Sequence, residues 1–235
     1  MPESGWKKLD SKKAIKGLSS IAVLACLLVQ FSTALPSASA YSSAAVPINM
    51  ASSPTIHDTP GLDKEKFRKW LHDSEEKMTK IVLDDGDREV NLDKYTDYLE
   101  DTGGTFAARD FLGNIQPTGD WKAYRAEKVP SFGITDSVYW IRYFIENRSS
   151  GREYFYIELA YHFHDFVELH VFSQEGKYKV IKTGDHYPYY HRPIDHHNFV
   201  FPLDIPKSSK ILILLRVKTS GSMLLPLKIW EPETF

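Results

Sequence analysis

The chain has 235 residues, of which 42% are hydrophobic and 13% aromatic, so it can bury a substantial core. Its 29 basic and 31 acidic residues leave a formal net charge of −2, which gives no electrostatic case for a nucleic-acid partner. The one cysteine, Cys26, lies in an N-terminal apolar run; residues 41–235 therefore hold neither a disulfide nor a thiolate metal site, which suits an exported protein that folds without bridges.

Lys7, Lys8, Lys12, Lys13 and Lys16 precede an apolar run from Ile21 to Phe31, and Ala38-Ser39-Ala40 follows with a small-x-small pattern. This predicts a signal peptide over 1–40, cleaved after Ala40, with a run too short for a comfortable membrane span. Residues 41–61 are rich in Ser, Ala and Pro and lack a period, the composition of a linker. In 62–78, Phe67, Trp70, Leu71 and Met78 recur at helical spacing, which predicts an amphipathic helix over roughly 62–76 packed on a sheet or a partner.

From residue 79 the period changes to two. Lys80–Leu83 and Glu89–Leu92 are short candidate strands, a short element ends at Gly103-Gly104, and 112–135 reads as loop. Clearer strands follow at Tyr139–Glu146, Glu153–Leu159, Phe166–Phe172, Tyr178–Lys182, Asn198–Leu203, Lys210–Lys218 and Leu224–Trp230, with polar turns between them. In "FVELHVF", Val167, Leu169 and Val171 alternate with Glu168 and His170, which predicts opposite burial of the two sets. In "KILILLRV" both faces are apolar, so that strand should be central. Such strands, without helices between them, predict an antiparallel sandwich or barrel.

Four segments together resemble a known family. "VYWIRYFIEN" is similar to its W-[IL]-R-[FY]-x-[IL]-x-N core, and "KTGDHYPYYHR" to its later G-D-x-x-P-x-x-x-R segment. "YLEDTGG" resembles its early acidic turn and "LPLKIWEPETF" its final strand. The family is the second extracellular sensor domain of bacterial seven-transmembrane receptors with diverse intracellular signalling modules, and the resemblance spans roughly 79–235. It implies an all-β, jelly-roll-like antiparallel β-sandwich of about eight strands on the periplasmic or extracellular face of a membrane. It also implies a carbohydrate or related small molecule as ligand and a seven-transmembrane region in a longer parent chain. The chain stops at Phe235 before a second apolar span, so the expectation is a sensor region cut from such a receptor or a free-standing secreted version.

Arg142 poses the sharpest question, since it interrupts a strand that is apolar on both sides. Trp140 and Arg142 leave the same face. An indole and a guanidinium there suit a sugar ring or a carboxylate. Alternatively Arg142 is an internal ion pair with Glu146, Glu158 or Glu168 that fixes strand register. The long loop "TGDHYPYYHRPIDHHN" adds Asp185, Tyr187 and Arg192, and His164 lies in the neighbouring "HFHD" turn. The expected ligand site is thus Trp140, Arg142, His164, Asp185, Tyr187 and Arg192, with Arg192 completing the Trp140–Arg142 face; its alternative for Asp185 and Arg192 is a turn cap and its ion-pair partner. Seven of the nine histidines fall between His162 and His197, but without a familiar metal spacing. No catalytic motif is present, and neither an enzyme, a cofactor nor a bound metal is expected. The two leading functions are a ligand sensor and a protein-interaction module that forms homodimers.

Overall fold

The computed structural model describes residues 63–112, 121–126 and 128–235, together with the backbone of 56–58. The predicted signal peptide and most of the linker lie outside the described residues. In chain order the elements are β1 (Ile56–Asp58), α1 (Lys64–Ser74), β2 (Lys80–Leu83), β3 (Glu89–Asn91), β4 (Asp97–Asp101), β5 (Lys122–Ala123) and β6 (Ser131–Ile134). They continue with β7 (Val138–Asn147), β8 (Tyr154–Leu159), β9 (Phe166–Ser173), β10 (Lys177–Thr183), β11 (Phe199–Asp204), β12 (Lys210–Lys218), β13 (Ser222–Leu224) and β14 (Leu227–Trp230).

The large sheet runs β1-β10-β9-β12-β7-β4-β5 and the small sheet β11-β8-β14-β3, with β6 and β13 as a separate ribbon. β4 pairs antiparallel with the first half of β7, and β2 pairs parallel with its second half. Mostly antiparallel pairing in two sheets gives the all-β sandwich that period-two patterning predicts. β12 is central, between β9 and β7, which is why both of its faces are apolar.

Two apolar layers explain β7. Ile141, Tyr143 and Ile145 point into the sandwich interior with Phe155, Ile157, Phe199 and Phe201. The Tyr143 hydroxyl is satisfied there by Thr96 Oγ1 at 2.8 Å. On the other side, Val138, Trp140 and Phe144 join Phe172, Leu212 and Leu214. That outer surface is roofed by Phe67 and Leu71 of α1 and by Phe111. α1 starts where Asp63 accepts from the Glu65 and Lys66 amides, both at 3.1 Å, satisfying amides left open at a helix start.

The double roof corrects one expectation. Val167 and Leu169 are buried, but so is His170, which should alternate with them toward solvent. Its ring packs beside Trp140 on the roofed face and bonds Tyr178. Three further boundaries differ. Part of the linker forms β1 on the edge of β10; the stretch read as loop contains β5 and β6; and the last strand is split at Pro226, which cannot donate to a ladder.

Candidate ligand-binding cleft

The β4–β7 register sets Asp97 directly across from Arg142, both on the roofed side of the large sheet. Arg142 Nη2 lies 3.5 Å from Asp97 Oδ2, so the internal ion pair exists, but its acid is Asp97. The acids expected for it are engaged elsewhere: Glu146 with Lys80 and Arg148, Glu158 with Asn198 and Trp230, and Glu168 with Arg216 and Lys182.

Asp97 serves more than Arg142. Its Oδ1 takes Arg125 Nη2 at 2.8 Å and the Thr79 hydroxyl at 3.1 Å, while Oδ2 takes the Thr79 amide at 3.3 Å. One carboxylate, 7% exposed, thus holds two guanidiniums and leaves a surplus positive charge on the three groups. Arg142 is 20% exposed, its guanidinium lies 4.4 Å from the Trp121 ring centre, and its buried Nε has no acceptor. Burial pushes its pKa down and Asp97 draws it back up. A cleft of about 310 Å³ opens over Arg142, Arg125, Trp121, Met78 and Thr79. This arrangement can present guanidinium donors to an anion beside an indole.

The other predicted residues do not assemble with Arg142. Trp140 shares its face but is buried, its ring packed between Phe111 and His170. It offers no platform to a ligand. Arg192 donates from Nη1 to the His196 carbonyl at 2.9 Å and to that of His197, and lies over the rings of Tyr189 and Phe199. None of these partners touches Arg142, because Phe199 faces the sandwich interior whereas Arg142 is on the outer side of the large sheet.

His164, Asp185 and Tyr187 come together as the seam between two loops. The Asp185 amide donates to the His164 carbonyl at 2.7 Å, and the His186 amide to that of Asp165 at 3.2 Å. Tyr187 packs edge-on against Phe166 and stacks with His191. His164 is fully buried and its Nε2 donates to the Leu224 carbonyl at 2.8 Å. Burial pushes its pKa down to about 4, against the opposing pull of that carbonyl and of Asp165. Asp185 is exposed and its charge favours the Arg192 cation. Among the described residues no cluster of three or more His, Cys, Asp or Glu side chains is placed to hold a metal.

Sequence reasoning missed Asp97, Arg125, Thr79 and the role of Trp121. A trace was visible in "YTDYLED", where Asp97, Leu99 and Asp101 alternate onto one face, but only the β4–β7 register pairs Asp97 with Arg142.

The fold is a two-sheet β-sandwich domain with a cleft over Arg142. The family model for the 7TMR-DISM extracellular 2 domain matches residues 93–231, and the chain belongs to that family of extracellular sensor domains of seven-transmembrane receptors. The family is a sensor, not a catalytic, domain; it implies a linked transmembrane region and an exported position. No curated protein matches the chain. Among the described residues no helix is long and apolar enough to cross a membrane.

Proposed function

We propose that the chain is the ligand-recognising part of a bacterial signalling receptor, and that its ligand is a small carboxylate bound in the Arg142 cleft. What favours a carboxylate over a neutral carbohydrate is charge: two guanidiniums share the single Asp97 carboxylate. Lys77 and Glu76 also line the cleft and offset each other in charge, so a ligand carboxylate balances the remaining cation, and the Arg fork matches its planar shape. A sugar fits the same logic if it carries an acid group, since Trp121 supplies the apolar wall. Binding biases the domain toward the arrangement that holds the ligand best, which is how a sensor passes on occupancy.

Calorimetry with benzoate and glucuronate, set against benzamide and glucose, tests this reading. The two acids are expected to bind, and Arg142→Gln to abolish their binding. Neutral compounds that bind as well as the acids would refute it. One observation supports the alternative, a homodimerising or partner-binding surface: Phe163, Tyr189 and Tyr190 stand more than half exposed on the joined loops. Sedimentation of wild type against a Phe163→Ser, Tyr190→Ser double variant tests that reading, which predicts a dimer lost on substitution.

A further inference from the structure

We infer that residues 63–79 form a strap whose docking completes the cleft, so that the docked strap and a bound carboxylate stabilise each other. The inference rests on the reading of the Arg142 cleft as the ligand site.

The strap precedes the matched segment 93–231 yet reaches directly into the cleft. Its last residue, Thr79, gives its amide and hydroxyl to Asp97, and its hydroxyl accepts from Arg125 at 2.5 Å. Met78 and Lys77 line the same cleft. The groups that hold both arginines in place are therefore bonded to the end of the strap. A ligand seated on those arginines meets a complete wall only when the strap is down.

The strap is held by one apolar face, which includes buried Met78, and by polar contacts on either side of it. Phe67 meets Phe172 at 6.1 Å between ring centres, Leu71 is buried beside it, and Arg68 Nε reaches the Gln174 carbonyl at 3.3 Å. At the far end Glu75 takes Lys80 at 2.6 Å and Lys210 at 2.7 Å. Between these anchors a cleft of about 340 Å³, lined by Leu71, Phe144, Gln174 and Lys210, undercuts the helix. α1 has 11 residues, and a helix of that length is marginal in water without its packing surface. Lifting the strap therefore also melts it, which gives two distinct states, docked helix and undocked coil. The strap's share of the ligand contacts, from Lys77, Met78 and Thr79, exists only in the docked state, so occupancy must shift the balance toward the docked helix, and by linkage docking must tighten binding by the same factor.

The test is amide hydrogen exchange of peptides spanning 64–79, followed by mass spectrometry, with sodium benzoate as the probe. Saturating benzoate is expected to slow exchange there on the order of 5-fold or more in the wild type, and not in Arg142→Gln. Glu75→Ala, which lies outside the cleft, is expected to speed exchange of the helix and to weaken benzoate binding by a similar factor. Arg142-dependent benzoate binding with unchanged exchange over 64–79 overturns the strap and leaves the cleft reading intact. So does a Glu75→Ala variant that loosens the helix at unchanged affinity. Absence of binding by benzoate and glucuronate alike overturns the cleft reading, and the strap with it. If Glu75→Ala does not fold, the wild-type exchange measurement alone decides.

Discussion

Arg142→Ala and Asp97→Ala should differ in a direction set by the geometry around Asp97. Removing Arg142 deletes an ion pair whose atoms are 3.5 Å apart, a loose contact contributing about 1 kcal/mol. It also deletes the guanidinium–Trp121 contact, about 0.5–1 kcal/mol at a partly exposed site. Asp97 is not orphaned, since Arg125 and both donors of Thr79 remain. The expected loss is therefore about 1.5–2 kcal/mol, less than for a typical broken buried pair. Removing Asp97 instead strands the Thr79 amide and leaves Arg142, 20% exposed, facing Arg125 without a carboxylate between them. Arg125 is half exposed and rehydrates, so the cost falls at the lower end for a broken buried pair, about 3 kcal/mol. Urea denaturation followed by far-UV circular dichroism measures both. A loss of 4 kcal/mol or more in Arg142→Ala, or a smaller loss in Asp97→Ala than in Arg142→Ala, refutes the account of Asp97 as the shared hub.

Three other outcomes follow from buried groups. Gly184 has φ of +144°, and a Cβ there would stand 2.1 Å from the Asp165 carbonyl oxygen, so Gly184→Ala should cost at least about 3 kcal/mol, read by denaturant midpoint. Asn147→Ala leaves the Ile205 carbonyl and the Ser149 amide without their buried partner, while the Arg152 carbonyl keeps the Ser149 hydroxyl, and should cost about 3 kcal/mol in the same assay. His164 titrates near 6.5 when unfolded and near 4 when folded, so the unfolded chain takes up its proton first as pH falls. This contribution is complete above about pH 6.5 and is lost toward pH 4, roughly 3 kcal/mol in all; His164→Gln should flatten that part of the stability–pH curve.

The sandwich was legible because period-two patterning survives wherever one face is wet or both are apolar. β12 matches its expected bounds, Lys210–Lys218, and β9 extends one residue past its expected end. The roof over the large sheet was not legible. Helical spacing in Phe67 and Leu71 announces a buried stripe, but nothing in it names the surface that receives it. His170 is buried against expectation for that reason: a polar residue in an alternating strand signals solvent unless another element lies above it. The residues expected to form one ligand site lie apart for the same reason. Trp140 and Arg142 do share a face, but placing Arg192 beside them needed the path of a long loop, and that loop closes over the Phe199 end of the sandwich.

The two family motifs separate once their residues are placed. In the W-x-R-x-x-x-x-N stretch, Trp140 is core and Asn147 is fully buried, its amide donating to the Arg152 and Ile205 carbonyls at 2.7 Å each. Its oxygen accepts from the Ser149 amide and hydroxyl, which explains why a nominal glycosylation sequon is a turn lock here. In the G-D-x-x-P-x-x-x-R stretch, Gly184 permits the close approach of Asp165, and Arg192 ties down the carbonyls of the same loop. The polar groups of Asn147 and Arg192 are directed at the protein's own backbone, and the buried Trp140 indole N–H has no acceptor. Arg142 differs from these: its one acid is shared and 3.5 Å away, and its guanidinium lines an open cleft. An arginine in mid-strand imposes a desolvation cost, and a purely structural role favours full pairing to offset it. Incomplete pairing beside an open cleft and an indole is what distinguishes this motif residue from its neighbours, and it is the reason to look for the ligand at Arg142 rather than along the histidine-rich loop.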